Sequence, residues 1–409
     1  MFADRILLVH NHYRQPGGED RVFADELELL SKSGHEVIRF TADNATITRS
    51  GGLALATGTI WNAGRHKELV RLLEEKKPRL MHVHNTFPLL SPAVYYAARS
   101  RGTAVVQTLH NYRLLCPGAT FFRDGAVCVS CLGRALPWPA VAHGCYRTSR
   151  CATAAVAAMV SLHRAIGTWR DLVSMYIAPS EFVRRKFEEA GFPRQKLTVK
   201  PNFLPRDPGA ASGRGGFGLF VGRLAGEKGL LTLLQAWRRL GGAVSLRIVG
   251  EGPWMGEVLR ESRSLPSAEV LGTRSIDEVY RLMGEAAFLV FPSEWHETFG
   301  LVAIEAFARG TPVIASDIGA ISELVEHGRT GLLFRPGDAE DLAAKVEWFL
   351  SHPTGARQMR AEARAEFLAK YTAERNYSAL MEIYRRAIEG RGAVLEPQAA
   401  AAQAAGHAG

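Results

Sequence analysis

The sequence has no long hydrophobic run, few cysteines and no excess of glycine or proline. Its longest largely apolar stretch, residues 152–162, is far shorter than the ~20 residues that a helix needs to cross a bilayer, so the sequence predicts no membrane-spanning helix. Five cysteines in 409 residues exclude a small disulfide-stapled scaffold. A hydrophobic content of 47%, a charged content of 22% and a mean hydropathy of −0.05 exclude a disordered or fibrous chain. The length predicts two or three domains.

Two further absences bear on location and cofactors. The first ten residues, MFADRILLVH, lack the basic segment and the cleavage site of a signal peptide and are typical of a first β-strand. We therefore expect a cytoplasmic protein, with any membrane contact peripheral and at the inner face. No DxD-like motif follows a predicted strand, so we expect no metal cofactor in catalysis.

The basic residues are concentrated in the first half of the chain. Residues 1–200 contain 27 Lys and Arg against 16 Asp and Glu, whereas residues 201–409 contain 23 against 25. A basic half indicates an acidic partner, such as an anionic membrane or a phosphorylated acceptor, and a solvated basic surface without a partner is an equally good interpretation. Nucleic acid is not an expected partner, because no recognition motif accompanies the charge.

Short apolar runs alternate with amphipathic helical stretches in both halves. The strand-like runs lie at residues 6–9, 36–40, 80–84, 104–109 and 175–178, and again at 217–221, 246–249, 268–271, 288–291 and 313–315. Such runs, separated by helices, predict parallel sheets covered on both faces. We predict two doubly wound, Rossmann-like α/β domains, residues 1–200 and 217–390, that face a central cleft across a Pro- and Gly-rich linker, 201–216.

The chain is predicted to end in helices. The last helices of the second domain form a C-terminal extension that could pack back on the first domain. Residues 391–409, rich in Ala, Gly and Gln, are predicted to be a disordered tail.

The second domain carries the most specific pattern. The segment SEWHETFGLVAIEAFARGTPVIAS, residues 293–316, follows an apolar strand and places Glu297 and Glu305 around the start of a helix. The free N–H groups and the positive dipole end of such a helix suit a phosphate. Upstream, FVGRLAGEKG places Arg223 and Lys228 after the first strand of the domain, where two cations could bind a diphosphate. By itself this loop is better explained as a surface turn that has two routine basic residues.

Together these segments resemble the retaining glycosyltransferases of the GT-B fold, family 4 type, also called glycosyl transferases group 1. The resemblance spans about residues 3–390. It is carried by GR…EKG at 222–229, GEGP at 250–253, E-x7-E at 297–305, GTPVIAS…G…E at 310–323 and GLLF-P-G-D at 331–338.

The resemblance implies roles for the residues that match. Arg223 and Lys228 would bind the donor diphosphate, Glu297 would contact the donor sugar, and Glu305 would bind the ribose hydroxyls. The remaining donor contacts expected in the second domain are Gly250, Arg274 near the base, and Phe299, Gly300 and Leu301 at the phosphate. No residue in this region distinguishes uracil from guanine or adenine.

The first domain is expected to hold the acceptor and some donor contacts. Gly17 and Gly18 match the family's glycine-rich loop at the cleft, and a helix-entry turn is compatible with that role. His110 ends a strand and, by resemblance, reaches the donor sugar, whereas Asn111 stands where an acid is common. The predicted catalytic residues are thus Glu297, His110, Arg223 and Lys228.

Four of the five cysteines lie close together. Cys116, Cys128, Cys131 and Cys145 have the spacing C-x11-C-x2-C-x13-C, in an insert over residues 116–151 that contains a predicted hairpin turn. In a cytosolic protein this pattern favours a structural zinc site over disulfides, with an iron–sulfur cluster and unligated thiols as alternatives.

The implied activity is sugar transfer, with retention, from a UDP-, GDP- or ADP-sugar to a saccharide or lipid-linked acceptor. Family analogy places it in bacterial cell-envelope or exopolysaccharide synthesis. Two alternatives remain: a nucleotide-sugar epimerase of the same fold, and a catalytically idle sugar- or nucleotide-binding member.

Overall fold

The computed structural model describes residues 5–15, 17–47, 52–213 and 215–405. The N-terminal domain is built on six parallel strands in the order β2-β1-β3-β4-β7-β8. These strands are β1 (Ile6–His12), β2 (Val37–Asp43), β3 (Leu80–Val83), β4 (Ala104–Thr108), β7 (Met175–Ala178) and β8 (Leu197–Val199). A two-stranded hairpin, β5 (Phe122–Arg123) and β6 (Ala126–Val127), lies between β4 and β7.

Eight helices accompany these strands in the described part of the domain. They are α1 (Gly18–Lys32), α2 (Gly52–Ile60), α3 (Ala63–Lys76), α4 (Ala93–Ser100), α5 (Trp138–His143), α6 (Arg150–Ala165), α7 (Thr168–Asp171) and α8 (Glu181–Glu189).

The C-terminal domain repeats the architecture, with six parallel strands in the order β11-β10-β9-β12-β13-β14. The strands are β9 (Phe217–Val221), β10 (Ser245–Val249), β11 (Ala268–Gly272), β12 (Phe288–Phe291), β13 (Val313–Ser316) and β14 (Gly331–Phe334). The helices are α9 (Leu230–Arg239), α10 (Met255–Ser262), α11 (Ile276–Glu285), α12 (Leu301–Ala308), α13 (Ile321–Leu324), α14 (Ala339–Ser351), α15 (Pro353–Lys370) and α16 (Ala373–Ala405). The predicted fold class, two Rossmann-like domains with a helical extension, is confirmed.

Strand β1 shows why both faces of the first sheet need a cover. Leu7 and Val9 belong to the core on one face, and Ile6 and Leu8 to the core on the other, and all four are buried. Alternate side chains of a strand point to opposite faces, so neither face is left to solvent.

The helix that completes the second of these cores comes from the end of the chain. Leu380, Ile383 and Tyr384 of α16 belong to the same buried core as Ile6 and Leu8. The C-terminal extension therefore returns to the N-terminal domain and packs on one face of its sheet.

The structure differs from the sequence prediction at three places. The edge strands β8 and β14 were not assigned as strands, because they span only three and four residues and carry little periodicity. Helix α16 continues to Ala405, into the segment predicted to be disordered, in keeping with the high helix propensity of its many alanines. Residues 406–409 of that segment lie outside the described residues.

No helix of the described chain combines the length and the apolar character needed to cross a membrane.

Candidate active site

The loops that follow the strands of the two domains meet across the cleft. Thr298, which follows β12, donates a hydrogen bond from Oγ1 to the carbonyl of His110 at 2.9 Å. Ser180, which follows β7, donates from Oγ to the carbonyl of Thr298 at 3.1 Å. The carboxyl ends of the two sheets therefore face each other, which is where open α/β sheets bind ligands.

Lys228 and Glu297 form the centre of the C-terminal side. The Lys228 ammonium lies 2.5 Å from Glu297 Oε1, and its Nζ lies 5.5 Å from the centre of the Trp295 ring. The same carboxylate oxygen accepts hydrogen bonds from Ser293 Oγ at 2.9 Å and from Trp295 Nε1 at 2.8 Å. All three contacts end on Oε1 of the nearly buried Glu297, and Oε2 has no side-chain partner among the residues that the structure describes.

The start of α12 lies beside this pair. Phe299 is buried, with its ring 6.1 Å from that of Tyr371, and Gly300 immediately precedes the helix. Leu301 is the first helical residue, and a side chain at Gly18 of the other domain would lie 3.5 Å from its Cδ1. The predicted glycine-rich loop and the predicted phosphate-binding helix are thus neighbours, as a donor site spanning both domains requires.

Gly17, the other glycine of the pair, precedes α1. Its N–H donates to Asp20 Oδ2 at 2.9 Å, so it forms the helix-entry turn that the sequence allowed.

Glu305 contacts the other domain in this structure. Its side chain is 2% exposed and forms an ion pair with Arg21 of α1, which also donates to the Tyr280 hydroxyl at 3.2 Å. Burial raises the pKa of Glu305, and the Arg21 guanidinium opposes that rise. The ribose role predicted for Glu305 therefore requires the ligand to share this carboxylate with Arg21.

Sequence reasoning missed Arg21. The only signal was a basic residue three positions after Gly18, and nothing local indicates that it crosses the cleft.

The other predicted donor residues lie around the rim of the C-terminal sheet. Arg223 and Arg274 are exposed after β9 and β11, and neither forms an ion pair within the described chain. Gly250 follows β10, and a Cβ there would lie 1.9 Å from the Gly222 carbonyl oxygen. This contact gives Gly250 a packing reason for being glycine, whether or not it touches the donor.

His110 lies on the N-terminal side of the cleft, half-buried, and its ring stacks on His84. The rings are 5.2 Å apart with an interplanar angle of 18°, and His84 Nδ1 lies 3.0 Å from His110 Nε2. Burial, and then the neighbouring His84, hold the pKa of His110 well below its usual value, so the imidazole is neutral near pH 7.

Glu19 is a second residue that sequence reasoning missed. It follows Gly18 and accepts hydrogen bonds from Asn111 Nδ2 at 3.0 Å and from the Tyr13 hydroxyl at 3.2 Å. Burial raises the pKa of Glu19 to about 7, and its Oε1 is buried without a hydrogen-bond partner in the described chain. Glu19 and His110 line the same small cavity, so a carboxylate stands beside the position where Asn111 replaces an acid.

The four clustered thiols are all free and lie in the insert between β4 and α6. A Cβ placed on Gly118 would lie 3.7 Å from Cys116 Sγ and 3.5 Å from Cys145 Cβ, so these two cysteines are adjacent. Burial, followed by the other three thiols, raises the pKa of Cys131 to about 11. Within the described residues, the sets of three ligand atoms that lie within 4.8 Å of one another involve His10, His12 and Asp20, or Glu26, His82 and His84, and not the thiols.

Comparisons with known proteins identify the family of both domains. Residues 16–207 match the family model described as Glycosyltransferase Family 4, and residues 217–352 match the model described as Glycosyl transferases group 1. The chain is 35% identical to a Mycobacterium tuberculosis glycogen synthase over 178 residues, which cover 42% of this chain and 43% of that protein. It is 33% identical to a Nocardia farcinica D-inositol 3-phosphate glycosyltransferase over 249 residues, 52% of this chain and 54% of that one. The alignments thus span about half the length of these curated relatives.

Solved structures show the same fold along nearly the whole chain. Anabaena HepE in complex with UDP-glucose superposes with a TM-score of 0.67 at 19% identity, covering 93% of this chain and 99% of that one. Sucrose-phosphate synthase from Thermosynechococcus elongatus superposes with a TM-score of 0.70 at 19% identity, covering 95% and 100%. With two family models that match in order along its two domains, and with this fold, the chain belongs to the GT-B glycosyltransferases of the group 1 and family 4 type.

Proposed function

We propose that this protein transfers a sugar, with retention, from a nucleotide diphosphate sugar to a saccharide or lipid-linked acceptor. The observation that carries the proposal is the Lys228–Glu297 pair at the carboxyl end of one sheet, with His110 held opposite it through Thr298. Its relatives include named glycosyltransferases, and the Anabaena neighbour binds UDP-glucose.

The charges of the site suit a diphosphate leaving group. Lys228 and the exposed Arg223 follow the strand β9 and its turn, and the N-terminus of α12 adds a positive dipole end. These groups would stabilise negative charge as the bond from the anomeric carbon to the diphosphate breaks. This arrangement supplies positive charge without a divalent metal, so we expect turnover to survive a chelator.

The sugar would lie between Glu297 and His110. The free Oε2 of Glu297 can accept a hydroxyl of the donor sugar, while Lys228 holds Oε1 in place. The neutral His110 contributes a hydrogen-bonding group from the opposite side without adding charge.

The proposal is tested first by thermal stabilisation with UDP, GDP, ADP and their common sugar conjugates, because a ligand that binds the folded state raises Tm by mass action. Turnover is then compared in Lys228→Ala, in Glu297→Gln and in the control Lys345→Ala, a C-terminal-domain lysine in a peripheral ion pair. We expect the first two variants to lose most turnover and the control to keep it. Wild-type rates in both site variants would overturn the site assignment.

The same assay separates the two alternatives. An epimerase converts the donor with no acceptor present. An idle binding member shows a Tm shift with a nucleotide and no turnover with any acceptor.

For the acceptor, we propose a lipid-linked molecule at an anionic membrane, reached from the cytoplasmic face and used in cell-envelope or exopolysaccharide synthesis. Residues 101–170 contain eight arginines and a single acid, Asp124. The same region exposes large apolar side chains beside arginines: Trp138 is 56% exposed under the Arg134 guanidinium, and Arg164 donates to the Arg134 carbonyl at 2.9 Å. The exposed large apolar residues described in this region are Val127, Val129, Leu136, Trp138, Leu162 and Ile166.

Exposed aromatic and aliphatic residues among cations are typical of interfacial membrane binding. Sedimentation with anionic vesicles tests it, with Trp138→Ser as the variant and Trp348→Ser, an exposed tryptophan of the other domain, as the control. We expect Trp138→Ser to weaken binding and the control to retain it. Failure of the wild type to bind would leave a soluble saccharide as the acceptor.

We also propose that Cys116, Cys128, Cys131 and Cys145 hold a structural zinc ion. The tight hairpin before Cys128, the C-x2-C spacing and the adjacency of Cys116 and Cys145 support it. Zinc near one equivalent in anaerobically purified protein, lost in Cys128→Ser, is the expected result. A content near zero would exclude the site, and iron with sulfide would indicate a cluster.

A further inference from the structure

A row of buried polar side chains connects the interior of the N-terminal domain to His110. The Lys200 ammonium lies 2.8 Å from Glu26 Oε1, and Glu26 Oε2 lies 3.4 Å from His84 Nε2. His84 Nδ1 in turn lies 3.0 Å from His110 Nε2. Glu26 is fully buried, and Lys200 and His84 are 2% and 3% exposed. Sequence reasoning assigned no role to Glu26 or Lys200 and none in catalysis to His84.

The contact between Glu26 and His84 joins two buried polar atoms. Glu26 Oε2 and His84 Nε2 are both buried, and neither has a hydrogen-bond partner in the described chain. A buried carboxylate oxygen and a buried imidazole nitrogen that face each other at 3.4 Å can each supply the partner that the other lacks. His82 also approaches Oε2 at 3.4 Å, but its two nitrogens already contact the Tyr384 hydroxyl and Thr108 Oγ1, both at 2.8 Å.

The charge on Glu26 decides which way the hydrogen bonds run. Burial by itself would raise the pKa of Glu26, but Lys200 and the two histidines hold it well below its usual value, so Glu26 is a carboxylate near pH 7. A carboxylate only accepts hydrogen bonds, so His84 presents a proton to it from Nε2. With that as the only proton on the His84 ring, Nδ1 is an acceptor and His110 donates to it from Nε2.

This order leaves His110 with a defined free nitrogen. Its Nδ1 carries no proton in that tautomer and makes no hydrogen bond within the described residues. An unprotonated ring nitrogen on a half-buried side chain at the cleft accepts a hydrogen bond from a hydroxyl group. It would not accept one from a carbonyl or a phosphate oxygen.

The other described groups around the row have contacts of their own. The His10 ring lies 6.2 Å from that of His84, and its Nε2 contacts Asp20 at 3.0 Å. Phe23 covers the His84 ring edge at 5.3 Å. From α16, Asn376 reaches Lys200 and Tyr384 reaches His82. Although Glu26, His82 and His84 could together ligate a metal, the Lys200 ammonium already supplies the positive charge at this carboxylate.

We propose that Glu26 and His84 are positioning residues that fix the orientation and tautomer of His110, so that its Nδ1 accepts a hydroxyl of the donor sugar. The proposal rests on the proposed function for the identity of the ligand, and on the geometry alone for the tautomer. Its two parts are therefore tested separately.

The tautomer is measured by NMR of the protein labelled with 15N in its histidine rings, in which the two nitrogens of a neutral imidazole differ in chemical shift according to which carries the proton. We expect a single Nε2-protonated signal for His110, assigned by its loss in His110→Gln. In His84→Leu, which removes the acceptor, that signal should change to a mixture of tautomers. Glu26→Gln provides a second variant if His84→Leu does not fold. The control is His35→Asn, a buried histidine that also contacts α16, through Tyr377, but lies outside the row.

The effect on catalysis is measured in a double-mutant cycle. His84→Leu should lower kcat/KM for the donor about tenfold or more, the value of one charge-supported hydrogen bond. In a His110→Gln background the same change should have little further effect, because the two residues act as one unit.

Two results would overturn the proposal: an unchanged His110 signal in both variants, or losses of activity that simply multiply in the double variant. Absence of transfer with every donor would contradict the proposed function, whereas the NMR result would still decide the tautomer.

Discussion

The ion pair between Arg21 and Glu305 joins the two domains inside the cleft, and its removal gives a calculable penalty. Arg21→Met keeps most of the apolar stem but leaves the Glu305 carboxylate, 2% exposed, without its cation. Removing one partner of a buried pair costs about 3–5 kcal/mol, and the partial exposure of Arg21 favours the lower end. For a domain of this size, ~3 kcal/mol corresponds to a fall in Tm of about 6–12 °C.

Charge accounts for this penalty, so a second substitution should relieve it. In Arg21→Met/Glu305→Gln no buried charge is left unpaired, and part of the lost stability should return, with a coupling energy of at least ~1 kcal/mol. The deficit of the single variant should also shrink at low pH. Burial raises the pKa of Glu305, and the loss of Arg21 raises it further. Below the pKa of the unfolded state Glu305 is protonated, so the variant has no unpaired buried charge. Its folding stability is then lost as the pH rises through the pKa of the folded state.

Urea and thermal unfolding of the four proteins of the cycle measure the effect. The control is Arg281→Met, which breaks an exposed pair with Glu285 and should cost under about 1 kcal/mol. Additivity of the two substitutions within ~0.5 kcal/mol would refute the argument that Arg21 neutralises a buried carboxylate.

Two further predictions concern the loops of the cleft. Gly229→Ala should destabilise the C-terminal domain and lower donor affinity, because the added Cβ would lie 1.8 Å from the Pro292 carbonyl oxygen. Gly17→Ala has open space around the added Cβ and should have a mild effect. Equal effects of the two variants in a donor-binding assay would contradict this prediction. Glu19→Gln should flatten the pH dependence of folding stability. The Glu19 carboxyl, whose folded pKa is raised to about 7, contributes its full stabilisation below about pH 4.5. About 3 kcal/mol of that stabilisation is lost as the pH rises through 7. Unchanged unfolding curves between pH 5 and 8 for both proteins would show that Glu19 is not held in a costly charged state.

The sequence predicts the local elements of the site well because their causes are local. The apolar strands, the glycines at loop starts and the helix start at Leu301 follow from residues close to them in the chain. The parallel order of strands then brings the carboxyl ends to one edge. Lys228 and Glu297 could therefore be assigned from the sequence to the same donor site, although 69 positions separate them.

Contacts between distant segments were not predictable in the same way. Arg21 meets Glu305 across 284 positions, and Asn111 meets Glu19 across 92. Neither pair has a periodic pattern or spacing that distinguishes it from ordinary surface charges. Their partners are set by how the two domains close and how α1 enters the cleft.

By itself, then, the sequence determined the two α/β domains, the cleft and the residues that follow its strands, since hydrophobic periodicity and turn chemistry are written into neighbouring positions. Only the tertiary structure decided that α16 covers the first sheet, that Lys200 keeps a buried Glu26 in its carboxylate form, and that His84 lies between Glu26 and His110. The physical reason is that charge states and tautomers depend on burial and on partners, and both exist only once distant segments have packed together.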